Sequence, residues 1–188
     1  MIDDDMKQHF EKRTKEHINR VIKNCLFLQK KFKDIGNELM SQVINHDESK
    51  FSEPEYTPYL HITHKYKLSA EGVTYEPPSG MIEKMHEATV HHVTNNKHHP
   101  EYWDDGFDEN SLSSEDRDGI PEKMVDGTKM DRVCIAEMCC DWVSMSQERS
   151  NSNSAHKWAE QNINKRWKFT DDQVSWINEF LDFLSTQK

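Results

Sequence analysis

With 188 residues, 34% of them hydrophobic, the chain is long enough for one domain with a full core and too short for two comfortable ones. Its five Trp and eight Phe supply bulky core material, which excludes disorder of the whole chain. A formal net charge of −10 argues against nonspecific binding to duplex nucleic acid, because such binding needs Lys and Arg to neutralise phosphates.

Apolar residues recur at spacings of three and four through much of the chain, a pattern typical of amphipathic helices. Ser52 and Glu55 have the spacing of a capping box, and so do Thr170 and Gln173, so each pair is expected to open a helix. Helices are predicted over 5–33, 37–46, 53–66, 81–94 and 122–147, with a last one beginning at Thr170.

Polar segments separate these helices. Gly and Pro mark a loop at 69–80, and residues 95–120, rich in Asn, Asp, Ser and Gly, predict a long loop of the kind that is often functional. A polar gap at 148–154 precedes a basic, Trp-containing segment at 155–168. No segment alternates as a strand would, so we expect an all-α, single-domain helical bundle with long loops.

The sequence shows no sign of a membrane or secreted protein. No run approaches the roughly 18 consecutive apolar residues of a membrane span, and the acidic N-terminus lacks the apolar region of a signal peptide. No C-x-x-C pair occurs among Cys25, Cys134, Cys139 and Cys140, which favours buried free thiols in a reducing compartment. We expect a soluble, cytoplasmic protein.

Histidine and acidic residues recur near the ends or inward faces of the predicted helices. His46 and Asp47 are adjacent, so that an imidazole and a carboxylate can reach one metal ion. His17 lies beside the apolar stripe of the first helix, and Glu137 and Asp141 share one face of the fifth because they are four apart. A single buried His is more often an ordinary core residue than a ligand. The recurrence of such His and acidic residues, together with the pairs His91-His92 and His98-His99, favours a divalent-metal site.

The order His17, His46-Asp47, Asp141 resembles the HD-domain superfamily of metal-dependent phosphohydrolases. In that superfamily a His on one helix, a His-Asp pair on the next and a distant Asp bind a metal ion within an all-α bundle. The resemblance implies that these four side chains hold the first ion. It also implies one HD-like domain over 1–188, with a metal-site core over about 10–147 and a C-terminal helical extension over 155–186.

Further features are similar to the binuclear branch of the superfamily, which includes cyclic-dinucleotide phosphodiesterases. His46-Asp47-x-x-Lys50 matches its His-Asp-x-x-Lys element, whose Lys contacts substrate phosphate, although its Gly-Tyr-Pro signature is absent. The second-metal ligands that this match implies are Asp47 as a bridge, His91, and either His98 or His99. Three strings, His-Asp-Glu-Ser-Lys-Phe, His-His-Pro-Glu-Tyr-Trp and Glu-Met-Cys-Cys-Asp-Trp, also look like a family of uncharacterised bacterial and phage proteins.

The resemblance implies hydrolysis of a nucleotide or related phosphoester by a metal-activated water, with one or two divalent ions among which Fe, Mn, Co, Zn and Mg are not distinguished. Lys50 would then steady the phosphate oxygens. Glu137 would orient or deprotonate the water, or support a ligand. Tyr102 and Trp103 are candidates for stacking on a nucleobase, and anchoring of the loop explains these two aromatics equally well.

Two other functions stay open at this point. A di-iron oxygenase fits the same donors, because HD-like helical scaffolds also support oxygen chemistry. A non-enzymatic helical module could instead bind a partner through the acidic surface and the basic 155–168 segment.

Overall fold

The longest element of the computed structural model, which describes residues 2–112, 119–149 and 154–187, is the 28-residue helix α1 (Asp4–Lys31). It begins at Asp3, whose carboxylate accepts the backbone N–H of Met6 at 2.8 Å. Such a cap satisfies an amide that has no partner within the helix. The helix predicted over 5–33 is confirmed.

Six further α-helices lie in the described residues: α2 (Gly36–Val43), α3 (Tyr56–Ala70), α4 (Met81–Asn95), α5 (Arg132–Arg149), α6 (Ala155–Asn162) and α7 (Asp171–Ser185). Short 3₁₀ helices occur at Glu48–Phe51, Pro100–Trp103 and Glu109–Ser111. In the same residues the strands are β1 (Val125–Asp126) and β2 (Trp167–Lys168), which pair in parallel. The predicted all-α class is confirmed.

Helix α5 is the most enclosed element. Eight consecutive residues, 133–140, are buried, as expected of a helix that packs on all sides. It contacts α1, α2, α6 and α7, and its Ile135 and Met138 join Leu28 of α1 and Phe180 of α7 in the main core. Any polar side chain on this stretch is therefore enclosed as well.

A second, smaller apolar cluster joins α1, α3 and α4, and contains Phe10, Leu60 and Ala88. Val21, further along α1, belongs to the main core. His17 lies between Phe10 and Val21 on the same helix and is also buried. A polar region therefore interrupts the apolar face of α1 between the two clusters.

Helix α5 begins at Arg132, so the predicted start at 122 is wrong. The upstream residues pair with β2 instead, and the Val125 N–H donates to the Arg166 carbonyl at 2.9 Å. The helix starts where the Asp131 carboxylate accepts the backbone N–H of Cys134 at 2.8 Å. The local apolar pattern cannot reveal a strand partner that lies 42 residues away in the chain.

The two predicted capping boxes differ in outcome. At Thr170 both reciprocal hydrogen bonds with Gln173 form, and that box is confirmed. Helix α3 begins only at Tyr56, and Glu55 makes no capping bond there. Its carboxylate is buried and accepts the Ser49 hydroxyl at 2.9 Å, so the box predicted at 52–55 is wrong.

The C-terminal segment packs against the rest of the protein through Trp167. Its indole stacks on Trp142 of α5, with ring centroids 5.4 Å apart and planes at 15°. The Trp167 N–H donates to a carboxylate oxygen of buried Glu101 at 3.0 Å. Because Glu101 lies two residues after His99, this contact links the end of the chain to the His98-His99 loop.

The predicted loop at 95–120 and the predicted polar gap at 148–154 lie partly outside the described residues. Within the described part, the loop contains two of the 3₁₀ helices. Each helix in the described ranges is too short or too polar to cross a lipid bilayer.

Candidate metal centre

The turn after α2 carries His46 and Asp47 into the interior. The His46 N–H donates to the Val43 carbonyl at 3.0 Å, and the Lys50 N–H donates to the Asp47 carbonyl at 3.1 Å. Asp47 has a φ of 58°, in the left-handed region that Asp tolerates better than most residues. The residue is only 1% exposed, so the turn buries a carboxylate at the end of a short helix.

The Asp47 carboxylate lies at the centre of a cluster of imidazoles. Its Oδ2 is 3.7 Å from Nε2 of His17 and 3.9 Å from Nε2 of His46. Its Oδ1 is 3.2 Å from Nε2 of His92 and 3.7 Å from Nε2 of His98. Each oxygen of one carboxylate therefore faces a different pair of histidines.

The first group of donors, His17, His46 and Asp47, has ligand atoms within 4.8 Å of one another. Asp141 joins it, with Oδ1 at 3.0 Å from Nε2 of His17. Burial alone would raise the pKa of Asp141, but its hydrogen bond and charge interaction with His17 lower that pKa well below its ordinary value. Asp141 is therefore an ionised carboxylate. The structure brings these four sequence-predicted residues together.

The second group of donors, His92, His98 and His99, also has ligand atoms within 4.8 Å of one another. Burial lowers the pKa of His98 to about 4 and lowers that of His99 well below its usual range. Both rings are therefore neutral near pH 7. A neutral imidazole offers the lone pair that a metal ion needs.

The chemistry of the cluster fits a bound cation. Three buried nitrogens of the cluster, Nδ1 of His17, Nε2 of His46 and Nε2 of His99, have no hydrogen-bond partner, which is costly for polar atoms inside a protein. Burial opposes protonation of His46, yet the neighbouring carboxylates, Asp47 foremost, outweigh it and raise the pKa of His46. The negative charge of the same carboxylates attracts any cation. Mixed imidazole and carboxylate donors suit Fe, Mn, Co and Zn, so these groups can hold a metal ion.

Glu137 lies behind His46. One of its oxygens is 2.8 Å from Nδ1 of His46, and the other accepts the side-chain amide of Gln42. Burial would raise the pKa of Glu137, but the hydrogen bond from His46 and the nearby imidazoles of His98 and His46 lower it on balance. With Nδ1 of His46 donating to Glu137, the ring directs Nε2 towards Asp47.

Glu55, which sequence reasoning missed as a site residue, lies behind His92 in the same way. It is 0% exposed. Its two oxygens are each 2.8 Å from a histidine, Oε1 from Nδ1 of His91 and Oε2 from Nδ1 of His92. The sequence did offer a signal, since Glu55 is an acidic residue soon after the His-Asp pair. That residue was instead assigned to a capping box with Ser52.

His92, and not His91, faces the cluster. The His91 side chain is 38% exposed and its Nδ1 contacts Oε1 of Glu55, whereas the donor group contains His92, so the sequence-based choice of His91 is corrected by this geometry. Successive helix residues point about 100° apart, so one member of an adjacent pair faces inward. The buried face of α4 contains Ala88, His92 and Val93. The position of His92 on this buried face could have distinguished it from His91 in the sequence.

Lys50 contributes the cationic side chain at the centre. Its Nζ is 2.6 Å from Oδ2 of Asp47 and 5.1 Å from the ring centroid of Tyr59. The Lys50 side chain is 17% exposed. It therefore lies between the buried carboxylate and solvent, where an anion could reach it.

The two aromatics predicted to stack on a base have different surroundings. Trp103 packs against the main core, and its indole N–H donates to the Lys97 carbonyl at 2.9 Å. Tyr102 is 40% exposed and meets Trp103 edge-on, with ring centroids 5.3 Å apart. Trp103 thus anchors the loop that carries His98 and His99.

One family model matches residues 6–183 of the chain. This range includes every donor of the cluster. The family is described as one of unknown function, so the match assigns no activity. No curated protein matches the chain significantly, and neither does any solved structure. From the extent of the family match, the chain belongs to the family of unknown function DUF5662.

Proposed function

We propose that this protein is a metal-dependent phosphohydrolase of HD-domain type that acts on a nucleotide or a related small phosphoester. The observation that carries the proposal is the position of Asp47 between the two donor groups, with the Lys50 ammonium on the same carboxylate. A carboxylate with one oxygen directed to each group is suited to bridge two cations. The Lys50 ammonium beside that carboxylate is suited to bind a phosphate.

The residues divide into two sets of ligands. The first ion would be held by His17, His46, Asp47 and Asp141, and the second by His92, His98 and His99 with Asp47 shared. When bound, such ions acidify a coordinated water and neutralise phosphate charge. This neutralisation matters because the chain carries a net charge of −10 and would otherwise repel an anionic substrate.

Lys50 would exchange partners during binding. Its ammonium contacts Asp47 and is partly exposed, so a phosphate oxygen arriving from solvent can take the place of the carboxylate. Lys acts as a flexible point charge with three donors, which suits this exchange better than the rigid fork of Arg. We therefore assign Lys50 to substrate binding, and to steadying the phosphate as its charge changes.

Glu137 is better suited to positioning than to proton transfer. Both of its oxygens are already engaged, one by His46 and one by Gln42. A general base needs a free oxygen within hydrogen-bond reach of the proton that it removes. We propose that Glu137 fixes the ring of His46 and takes no proton from water.

Elemental analysis and a substrate panel test the proposal together. Wild type, Asp47→Ala and His156→Ala would be purified and their metal content measured, followed by assays with nucleoside monophosphates, cyclic nucleotides and a nitrophenyl phosphate in the presence of Mn. His156 is a matched control, because its ring bonds to Asp182 on the C-terminal helices. We expect metal and phosphoester hydrolysis in wild type and His156→Ala, and loss of both in Asp47→Ala.

Other outcomes would overturn the proposal. Equal metal content in wild type and Asp47→Ala would rule out the ligand assignment. Bound iron with a visible absorption band, and no hydrolysis of any phosphoester, would favour the di-iron oxygenase. Absence of metal from wild type, with stability unchanged in the His46→Ala/Asp47→Ala double variant, would favour a non-enzymatic module.

A further inference from the structure

Glu55 is a fully buried carboxylate with three donors around it. It receives Nδ1–H groups from His91 and His92, both at 2.8 Å, and the Ser49 hydroxyl at 2.9 Å. An ionised carboxylate inside a protein is costly unless it is compensated in this way. It touches neither Asp47 nor any donor atom directed to the centre, so its effect there must pass through His92.

The hydrogen bond to Glu55 decides which nitrogen of His92 is free. A carboxylate can only accept, so Nδ1 of His92, which lies 2.8 Å from Glu55, carries a proton. Nε2, which is 3.2 Å from Oδ1 of Asp47, is then the nitrogen that can give its lone pair to a cation beside Asp47. Without Glu55 the proton would be free to move to Nε2 and close that position.

We infer that Glu55 is a positioning residue that fixes the tautomer of His92 and so controls binding of the second metal ion separately from the first. The inference rests on the proposed function for its metal ions, and on hydrogen-bond geometry for the tautomer. Glu137 is the counterpart on the other side of Asp47, because it holds Nδ1 of His46 at 2.8 Å. The same Glu137 oxygen is also 3.6 Å from Nδ1 of His98, whereas the histidines bonded to Glu55 are both on α4.

Replacing each glutamate should therefore affect a different ion. In Glu55→Ala the acceptor is lost, and we expect the affinity for the second ion to fall about 10–100-fold while the first ion stays bound. In Glu137→Ala we expect the first ion to be weakened more than the second, because Glu137 bonds His46 at 2.8 Å and lies 3.6 Å from His98. Glu55→Gln should be milder than Glu55→Ala, since its amide oxygen can still accept from His92 while the partly exposed His91 ring changes tautomer to accept from the amide nitrogen.

Metal titration followed by elemental analysis, with Mn or Zn as the probe, measures these affinities. His91→Ala is the matched control: it removes the neighbouring ring but leaves the bond between Glu55 and His92, so both ions should remain. If Glu55→Ala binds both ions as tightly as wild type, the inference is overturned. Loss of both ions with a native circular dichroism spectrum would also overturn it, because the effect would not be confined to one group.

The protonation of His92 can also be measured in the absence of metal, which serves if Glu55→Ala fails to fold or if wild type binds no ion. Long-range ¹H–¹⁵N spectra of the metal-free wild type distinguish the two tautomers of each imidazole, and the signal absent from His92→Gln assigns the ring. We expect a proton on Nδ1 of His92. An Nε2–H tautomer would overturn the positioning role, whereas a metal-free wild type with the expected tautomer would refute the proposed function alone.

Discussion

At the scale of single residues, the centre depends on how each donor is oriented by a partner behind it. His46 and His92 both present Nε2 towards Asp47, and a buried carboxylate holds Nδ1 in each case. Such outer partners fix ring orientation and raise ligand basicity. Loss of a ring should therefore have a much larger effect on the centre than loss of an exposed neighbour.

The adjacent pair on α4 tests this difference. His92→Ala removes a nitrogen 3.2 Å from Asp47 and should weaken binding of one metal ion by more than about 100-fold, beyond the loss typical of an outer partner. His91→Ala removes a ring that is 38% exposed and should retain both ions. Metal content after dialysis against a weak chelator distinguishes the variants. Equal loss in both would contradict the assignment.

The sequence predicted the metal-site residues that have the spacing of a known motif and missed those that do not. His17, the His46-Asp47 pair and Asp141 were predicted as one group, and their donors do converge. Glu55 was missed because its partners lie on another helix, and no local pattern distinguishes a buried carboxylate from a helix cap.

At the scale of elements, the short parallel pair of β1 and β2 lies directly upstream of α5. Gly127 follows β1, and its N–H donates to the Lys168 carbonyl at 3.0 Å. A Cβ at this position would lie 2.8 Å from Cε1 of Phe169. Since Phe169 belongs to the main core, its ring has little freedom to move away.

Gly127→Ala should therefore destabilise the protein. We expect a loss of about 1–3 kcal/mol in the free energy of unfolding, the usual cost of overpacking. Gly106→Ala is the control, because a Cβ there would meet its nearest atoms at 3.5 Å, an ordinary contact. Urea denaturation measures both variants. A Gly127→Ala variant as stable as Gly106→Ala would show that the ring of Phe169 yields easily.

The start of α7 offers a second test at this scale. The Thr170 hydroxyl accepts the Gln173 N–H at 3.2 Å and completes a capping box. Thr170→Ala should lower the free energy of unfolding by about 1 kcal/mol. Thr186→Ala, at the other end of the same helix, should change it by less than about 0.5 kcal/mol. The same urea titrations compare them, and equal effects would argue against a capping contribution.

At the scale of the whole molecule, the donors of the centre come from α1, the turn after α2, α4, the loop after α4, and α5. These segments meet only in the folded chain, so the native state should bind a cation far better than the unfolded one. The local helical pattern predicted most of these segments. It could not predict that the C-terminal segment shares the main core, because the contact of Trp142 with Trp167 is long-range.

Metal ions should consequently stabilise the fold. At a concentration 100 times the dissociation constant, a ligand that binds only the native state adds about 2.7 kcal/mol for each site. For a chain of this length, that corresponds to a rise of roughly 5–11 °C in melting temperature. Thermal melts of wild type with and without a chelator would measure the shift. Asp47→Ala should show none, and an equal shift in that variant would place the ions elsewhere.

The bond between the Trp167 indole and Glu101 joins the C-terminal segment to the loop that carries the histidines. Only one residue separates Glu101 from His99. A homologue that lacked its last 25 residues would also lack Trp167, and its buried Glu101 carboxylate would lie beside an empty groove. Such a truncation should be found only alongside a neutral side chain at position 101. Positions 101 and 167 are therefore expected to co-vary across homologues, and their joint identity would show which members retain an anchored histidine loop.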